Sequence, residues 1–185
     1  MRENWRIKVS VLAGASALAF SALTAVPAVA DEAVGDLQEV QMPVDVKIVE
    51  GLAPAAGSDV PSLEPTTDAP FSAAAVAKAA PGSSTCLGST AAYGVTGCFQ
   101  HNGDIVWAGD TKKDGMSAAV GVYTDYGRAA EVCINKLGVN TWATCDKDYR
   151  ETGNVRLRAL RYDGDTGKFY QPESWSGWIP VDGKY

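Results

Sequence analysis

The stretch Cys98-Phe-Gln-His-Asn-Gly-Asp-Ile-Val-Trp-Ala-Gly-Asp-Thr-Lys-Lys-Asp-Gly-Met-Ser-Ala-Ala-Val-Gly-Val-Tyr123 decides the fold. Asn102-Gly103 lies between two apolar runs, and an Asn-Gly pair readily takes positive φ at both central positions of a tight turn. It is the strongest short-range hairpin signal a chain can carry. The run Ile105 to Thr111 leads to a second turn, Lys112-Lys113-Asp114-Gly115. The run that follows sets Ala118, Val120 and Val122 on one face, with Ala119, Gly121 and Tyr123 on the other. Three strands joined by two short turns predict a meander, and with it a small all-β domain.

The four cysteines lie on both sides of this stretch and within it. Cys86 and Cys98 are twelve residues apart, as are Cys133 and Cys145. An even number in an exported chain argues for disulfides. The equal short spacings favour 86–98 and 133–145, with a hairpin turning near Gly138 to set Cys133 opposite Cys145. Zinc is not expected, because no C-x-x-C occurs and His101 is the only histidine.

Downstream, Arg128 to Leu137 reads either as a short helix ending at Gly138 or as a strand with Val132 and Ile134 on one face. The disulfide spacing favours the strand, with Thr141 to Cys145 as its partner. Val155 to Tyr162 alternates Val155, Leu157 and Ala159 against Arg156 and Arg158, and Leu160-Arg161 breaks the pattern, which predicts a bulge or strand end there. Asp163 to Gly167 is a turn, and Lys168 to Tyr170 opens a return strand. Trp175 and Trp178 fall among Pro and Gly residues outside any clear strand.

Upstream, residues 1–30 read as an export signal. Arg2, Arg6 and Lys8 precede an apolar run, and Pro27-Ala28-Val29-Ala30 offers an A-x-A site with cleavage before Asp31. Without an Arg-Arg pair the general secretory route is expected, and without a cysteine at the cleavage site no lipid anchor. Residues 31–82 then change character. Pro recurs at 43, 54, 61, 65, 70 and 81, which forbids long regular elements. The segment reads as a flexible acidic stalk, with a piece around Val44 to Val49 that alternates enough to add an edge strand. It carries nine acidic residues against Lys47 and Lys78, net −7, whereas residues 83–185 carry twelve acids and eleven bases, net −1. The acidity of the chain, −6 in all, therefore belongs to the stalk, and nothing in residues 83–185 attracts nucleic acid.

Asp110-Thr-Lys-Lys-Asp-Gly-Met-Ser-Ala118 resembles the D-T-K-x-D-G-x-S-A signature of a group of small secreted actinobacterial proteins without an assigned activity. Cys133 to Cys145 is similar to a second block of the same group, and the likeness covers roughly the C-terminal half. It implies export and a compact β domain, adds weight to the strand reading of 128–137, and carries over no catalytic residue.

No residue pattern announces chemistry. There is no G-x-S-x-G elbow, and His101 sits in a turn without an orienting partner. Asp110 with Asp114, and Asp163 with Asp165, have calcium-like spacing, but short Asp-rich turns commonly bond their own backbone. Arg156, Arg158 and Arg161 form a candidate basic patch. Of the aromatics, Trp107 and Trp142 are assigned to the core, while Trp175 and Trp178 are candidate stacking platforms. The expectation is a signal peptide (1–30), an acidic Pro/Ala-rich segment (31–82) and a disulfide-stapled antiparallel β-sandwich (83–185), without catalytic residues, metal or cofactor. Its function is extracellular binding of a polysaccharide or protein, with Trp175, Trp178, Arg156 and Arg158 as candidate binding residues and no membrane contact once the signal is removed. A small hydrolase acting on cell-wall or plant polysaccharide, or a protease inhibitor, is the alternative.

Overall fold

The structure, a computed structural model, describes residues 37–54, 81 and 85–185. The expected signal, its cleavage site and most of the acidic segment lie outside the described residues. Within these, ten strands and no helix are found: β1 (Glu39–Val40), β2 (Lys47–Glu50), β3 (Gly88–Ala92), β4 (Val95–Gln100), β5 (Ile105–Asp110), β6 (Ser117–Thr124), β7 (Glu131–Asn135), β8 (Thr141–Asp146), β9 (Asn154–Asp163) and β10 (Lys168–Pro180). They build a six-stranded sheet, ordered β1-β10-β9-β6-β7-β2, and a four-stranded sheet, ordered β3-β4-β5-β8. Every pairing is antiparallel except β2 with β7. The two sheets face each other across Val95, Phe99, Val106 and Ala108 on one side and Val120, Leu157, Ala159 and Ile179 on the other. This is the expected sandwich, and the period-2 alternation of β6 and β9 is what aims those side chains inward.

The Asn102-Gly103 hairpin forms, with Gln100 opposite Ile105. Its loop is four residues, His101 to Asp104, and the positive φ values fall on Gly103 and Asp104 rather than on Asn102 and Gly103. The expected meander does not continue. β5 pairs with β4 and β8, whereas β6 pairs with β7 and β9 in the other sheet. The Lys112 to Gly115 turn is thus a crossover between layers, which sets Ala118, Val120 and Val122 of β6 against the small sheet.

The Cys86–Cys98 and Cys133–Cys145 bonds are both present, with Cα separations of 5.6 and 5.9 Å. The geometry of the second corrects the expected cross-hairpin bond. β7 and β8 belong to different sheets, so Cys133–Cys145 joins the layers. Residues 128–137 hold a strand, as favoured. No irregularity interrupts β9 at Leu160-Arg161, where its register with β6 is continuous from Asn154's neighbour Val155 to Tyr162. The two register shifts lie on its partner β10, between Tyr170 and Ser174 and between Trp175 and Trp178. Pro172, which has no N–H to give the ladder, falls in the first. Trp107 is buried as expected, but on the outer face of the small sheet, where it meets Trp142 edge-on at 6.5 Å and its Nε1 donates to Gln100 Oε1 at 3.1 Å.

A start of the folded part at residue 83 is too late. Glu39–Val40 pairs with one edge of the large sheet, through β10, and Lys47–Glu50 pairs with the other, through β7. Residues 41–46 run between these edges across the sheet's outer face, where Met42 and Val46 cover Val40, Ala119, Val132, Ile134, Leu160, Tyr162 and Phe169. The alternation around Val44 is not that of one simple strand: Val44 and Ile48 are exposed, while Val49 packs on the core between the sheets. Beyond β2, Leu52 exchanges two backbone hydrogen bonds with Thr144 at 2.9 and 2.8 Å, tying this strap to the small sheet as well. Of the apolar residues of 37–54, Val40, Met42, Val46 and Val49 pack on the sheets, whereas Val44, Ile48 and Leu52 stay exposed.

Candidate functional site

Register assembles the site. On the outer face of the large sheet, beyond the part covered by the strap, Tyr123 of β6 stands opposite Arg156 of β9, and Arg156 opposite Trp178 of β10. The next row holds Gly121, Arg158 and Trp175. Rows on one strand face are about 7 Å apart. Trp175 and Trp178 are three residues apart, and on a regular strand they would point to opposite sides. The bulge at Ser176-Gly177 supplies one extra residue and brings both indoles to the same face, as bulges do when they re-aim a side chain. Ser176 holds the bulge: its Oγ accepts the Leu157 N–H at 2.8 Å, and its carbonyl accepts Arg156 Nε at 2.8 Å.

The side chains interlock. Arg156 and Arg158 lie over the Trp175 ring at 4.8 and 4.9 Å, and Tyr123 meets that ring at 4.9 Å. Arg158 donates from Nε to Glu173 Oε2 at 2.7 Å and from a terminal nitrogen to the Tyr123 hydroxyl at 3.2 Å and to Met42 Sδ of the strap at 3.5 Å. Burial disfavours the Arg158 charge, but Tyr123 and Glu173 outweigh it and hold its pKa above the ordinary arginine value. Trp175 is 37% and Trp178 48% exposed. Gly121 leaves the floor open, since a Cβ there would stand 3.3 Å from the Tyr123 ring.

All four candidate residues, Arg156, Arg158, Trp175 and Trp178, therefore come together on one exposed face. Arg161 does not join them. It is buried on the opposite face of β9, pairs with Asp114 at 3.5 Å and donates to the Gln171 carbonyl. Sequence reasoning missed Tyr123 and Glu173 as members. The alternation of β6 had already set Tyr123 away from Ala118, Val120 and Val122, so its face was readable; Glu173, inside an irregular stretch of β10, left no signal.

A concavity of about 470 Å³ opens elsewhere, at the end of the sandwich where the β4–β5 turn lies. Gln100, His101, Asn102, Glu151 and Asp182 line it. The His101 ring packs on Gly183, whose φ of 75° and missing Cβ make that approach possible. Among the described residues no carboxylate lies within ion-pair or hydrogen-bond distance of His101. The aspartate pairs of the turns do backbone work. Asp163 accepts the amides of Asp165 and Thr166, Asp114 that of Met116, and Asp110 that of Lys112. No cluster of three or more His, Cys, Asp or Glu able to hold a metal occurs among the described residues.

Two disulfides, and the lack among the described residues of any helix long and apolar enough to cross a membrane, are compatible with an extracellular protein. Comparison with protein-family models, with curated proteins and with solved structures gives no match, so the outer face of the large sheet has to be read from its own geometry.

Proposed function

We propose that the chain is a secreted, non-catalytic binding module whose ligand lies on the outer face of the large sheet, over Tyr123, Arg156, Arg158, Trp175 and Trp178. The observation that carries this reading is the convergence of two exposed indoles of β10 and two arginines of β9 on one face, through a bulge that turns Trp178 to the side of Trp175. Planar rings held rigid by cation–π and hydrogen-bond partners offer large contact area at little entropic cost. An open, flat face suits an extended polymer or another protein's surface better than a small molecule, which would call for a concave pocket.

The hydrolase alternative draws on the cleft with His101, Glu151 and Asp182, but His101 lacks the partner that orients a general base. The inhibitor alternative draws on Tyr93, 49% exposed at the tip of the β3–β4 hairpin that Cys86–Cys98 brackets. That tip is a tight turn rather than the extended loop a protease cleaves.

The test is retention of the purified protein on a panel of insoluble polysaccharides and immobilised proteases, with turnover followed in parallel. The expected result is retention on one polymer without turnover, and loss of retention on Trp178→Ala by roughly thirtyfold, the usual cost of truncating an aromatic anchor. Turnover of any polymer, abolished by His101→Ala and indifferent to Trp178→Ala, would replace the reading.

A further inference from the structure

The arginines of the folded part are not equivalent. Arg158 is neutralised by Glu173, Arg161 by Asp114 and Arg128 by Glu131. Arg150 and Arg156 have no carboxylate within 4.0 Å among the described residues, and of these two only Arg156 stands in the row with Tyr123 and Trp178. Its Nε is held on the Ser176 carbonyl at 2.8 Å and its guanidinium lies over Trp175 at 4.8 Å, so the group is fixed in place. Among the described residues its two terminal nitrogens have no acceptor. They form an oriented fork of the kind that binds a carboxylate through two parallel hydrogen bonds. The register partner of Arg156 is Trp178. Trp178 is the more exposed of the two indoles, for Trp175 is covered by both guanidinium groups and by Tyr123.

One free fork and one free ring therefore stand side by side in a single row of the sheet. Resting on the reading of this face as the binding surface, we infer that the ligand is an acidic polysaccharide built of uronate residues. A sugar ring stacks on Trp178 while the carboxylate of the chain engages Arg156. A neutral polysaccharide would use the ring and leave the guanidinium unanswered. An acidic peptide would use the guanidinium and leave the ring without a flat partner. The open face gives an extended sugar chain room to run along the rows, towards Arg158 and Tyr123.

The test is titration of the full folded chain, followed by tryptophan fluorescence and calorimetry, with oligogalacturonate and oligoalginate as probes. Their carboxyl-reduced, neutral counterparts and polyglutamate serve as comparisons. The expected result is binding of at least one uronate oligomer, with its reduced counterpart and polyglutamate weaker by about tenfold or more. Arg156→Gln lowers uronate affinity by a similar factor and that of the reduced oligomer by clearly less, whereas Trp178→Ala weakens both alike. Trp178 is exposed and Arg156 is part-buried, and a cooperative thermal transition above the titration temperature verifies that each variant is folded. Equal binding of the acidic and reduced oligomers, or indifference to Arg156→Gln, overturns the inference and leaves the binding face standing. Equal binding of polyglutamate replaces the sugar with an acidic protein surface. Failure of every polysaccharide, with Trp178→Ala silent throughout, overturns the binding face itself.

Discussion

Asn135 has no exposed surface, and its amide group does the work of a second staple. Nδ2 donates to the Ala108 carbonyl at 3.0 Å and the Thr141 carbonyl at 2.9 Å, and Oδ1 accepts the Leu137 N–H at 2.9 Å. One side chain thus ties β7 to β5 and to the start of β8 and shapes the crossover between them. Asn135→Ala leaves these buried groups unpaired and is expected to cost about 3 kcal/mol, measured by urea unfolding. Asp110, also buried, carries a different cost. Burial is the largest cause that pushes its pKa above 3.8, and burial likewise raises Asp104. The native chain therefore binds protons more readily than the unfolded chain, and these two groups make stability fall as pH rises from 3.8 through their raised values. Asp110→Asn keeps the acceptor for the Lys112 N–H and removes the charge. Its stability relative to the parent is expected to rise with pH across that window and level off above it, as read from urea midpoints between pH 3 and 7. The reverse slope would show that Asp110 is stabilised as an anion.

At the scale of elements, the strap shields the Cys133–Cys145 bond. Gly51 passes so close that a Cβ there would meet Ala143 Cβ at 2.7 Å and Cys133 Sγ at 3.2 Å, while Val49 packs on the core beside the bond. Gly51→Val is expected to lift the strap from the seam, break the Leu52–Thr144 bridge and expose the disulfide. The measurement is the rate of its reduction by dithiothreitol under native conditions, which should rise at least about tenfold if opening becomes easier by more than 1.4 kcal/mol. An unchanged rate would mean that the bond is reached by another route. Much at this scale was readable from the chain. The strands β4, β5, β6 and β9 follow from alternation and from turn residues such as Asn102-Gly103, and Arg156 with Arg158 on one face follows from their spacing of two. Trp175 and Trp178 with a spacing of three did not follow, because their shared face depends on Ser176 and its bond to the Leu157 amide, a tertiary contact. The strap was readable only in part: the edge strand expected around Val44 to Val49 is there as β2, but its parallel pairing with β7, more than eighty residues away, is not something four residues can announce.

For the whole molecule, the local spacing of twelve predicted both disulfides but not what they connect. A cross-hairpin bond and a bond between layers have the same sequence separation; what differs is whether Gly138, with φ of 99°, turns the chain back into the same sheet or over to the other. Replacing Cys133 and Cys145 by Ala is expected to cost about 3 kcal/mol for a loop of this length, seen as a lowered urea midpoint. Peptide mapping without reduction should find Cys86 linked to Cys98 and Cys133 to Cys145, and a fragment joining the two pairs would contradict the fold. The strap also has a bearing on how molecules of this protein meet one another. The larger sheet ends at both sides in pieces of the same short segment, two residues of β1 and four of β2. Short edge strands offer little backbone for another chain to pair with. A chain cut before Thr85, which keeps the Cys86–Cys98 bond, would present thirteen-residue β10 and five-residue β7 as bare edges at once, beside an uncovered patch of Ile134, Leu160 and Phe169. Such a chain has two open ends and a sticky face, and is expected to polymerise with rising concentration while the longer chain stays dispersed in the same buffer.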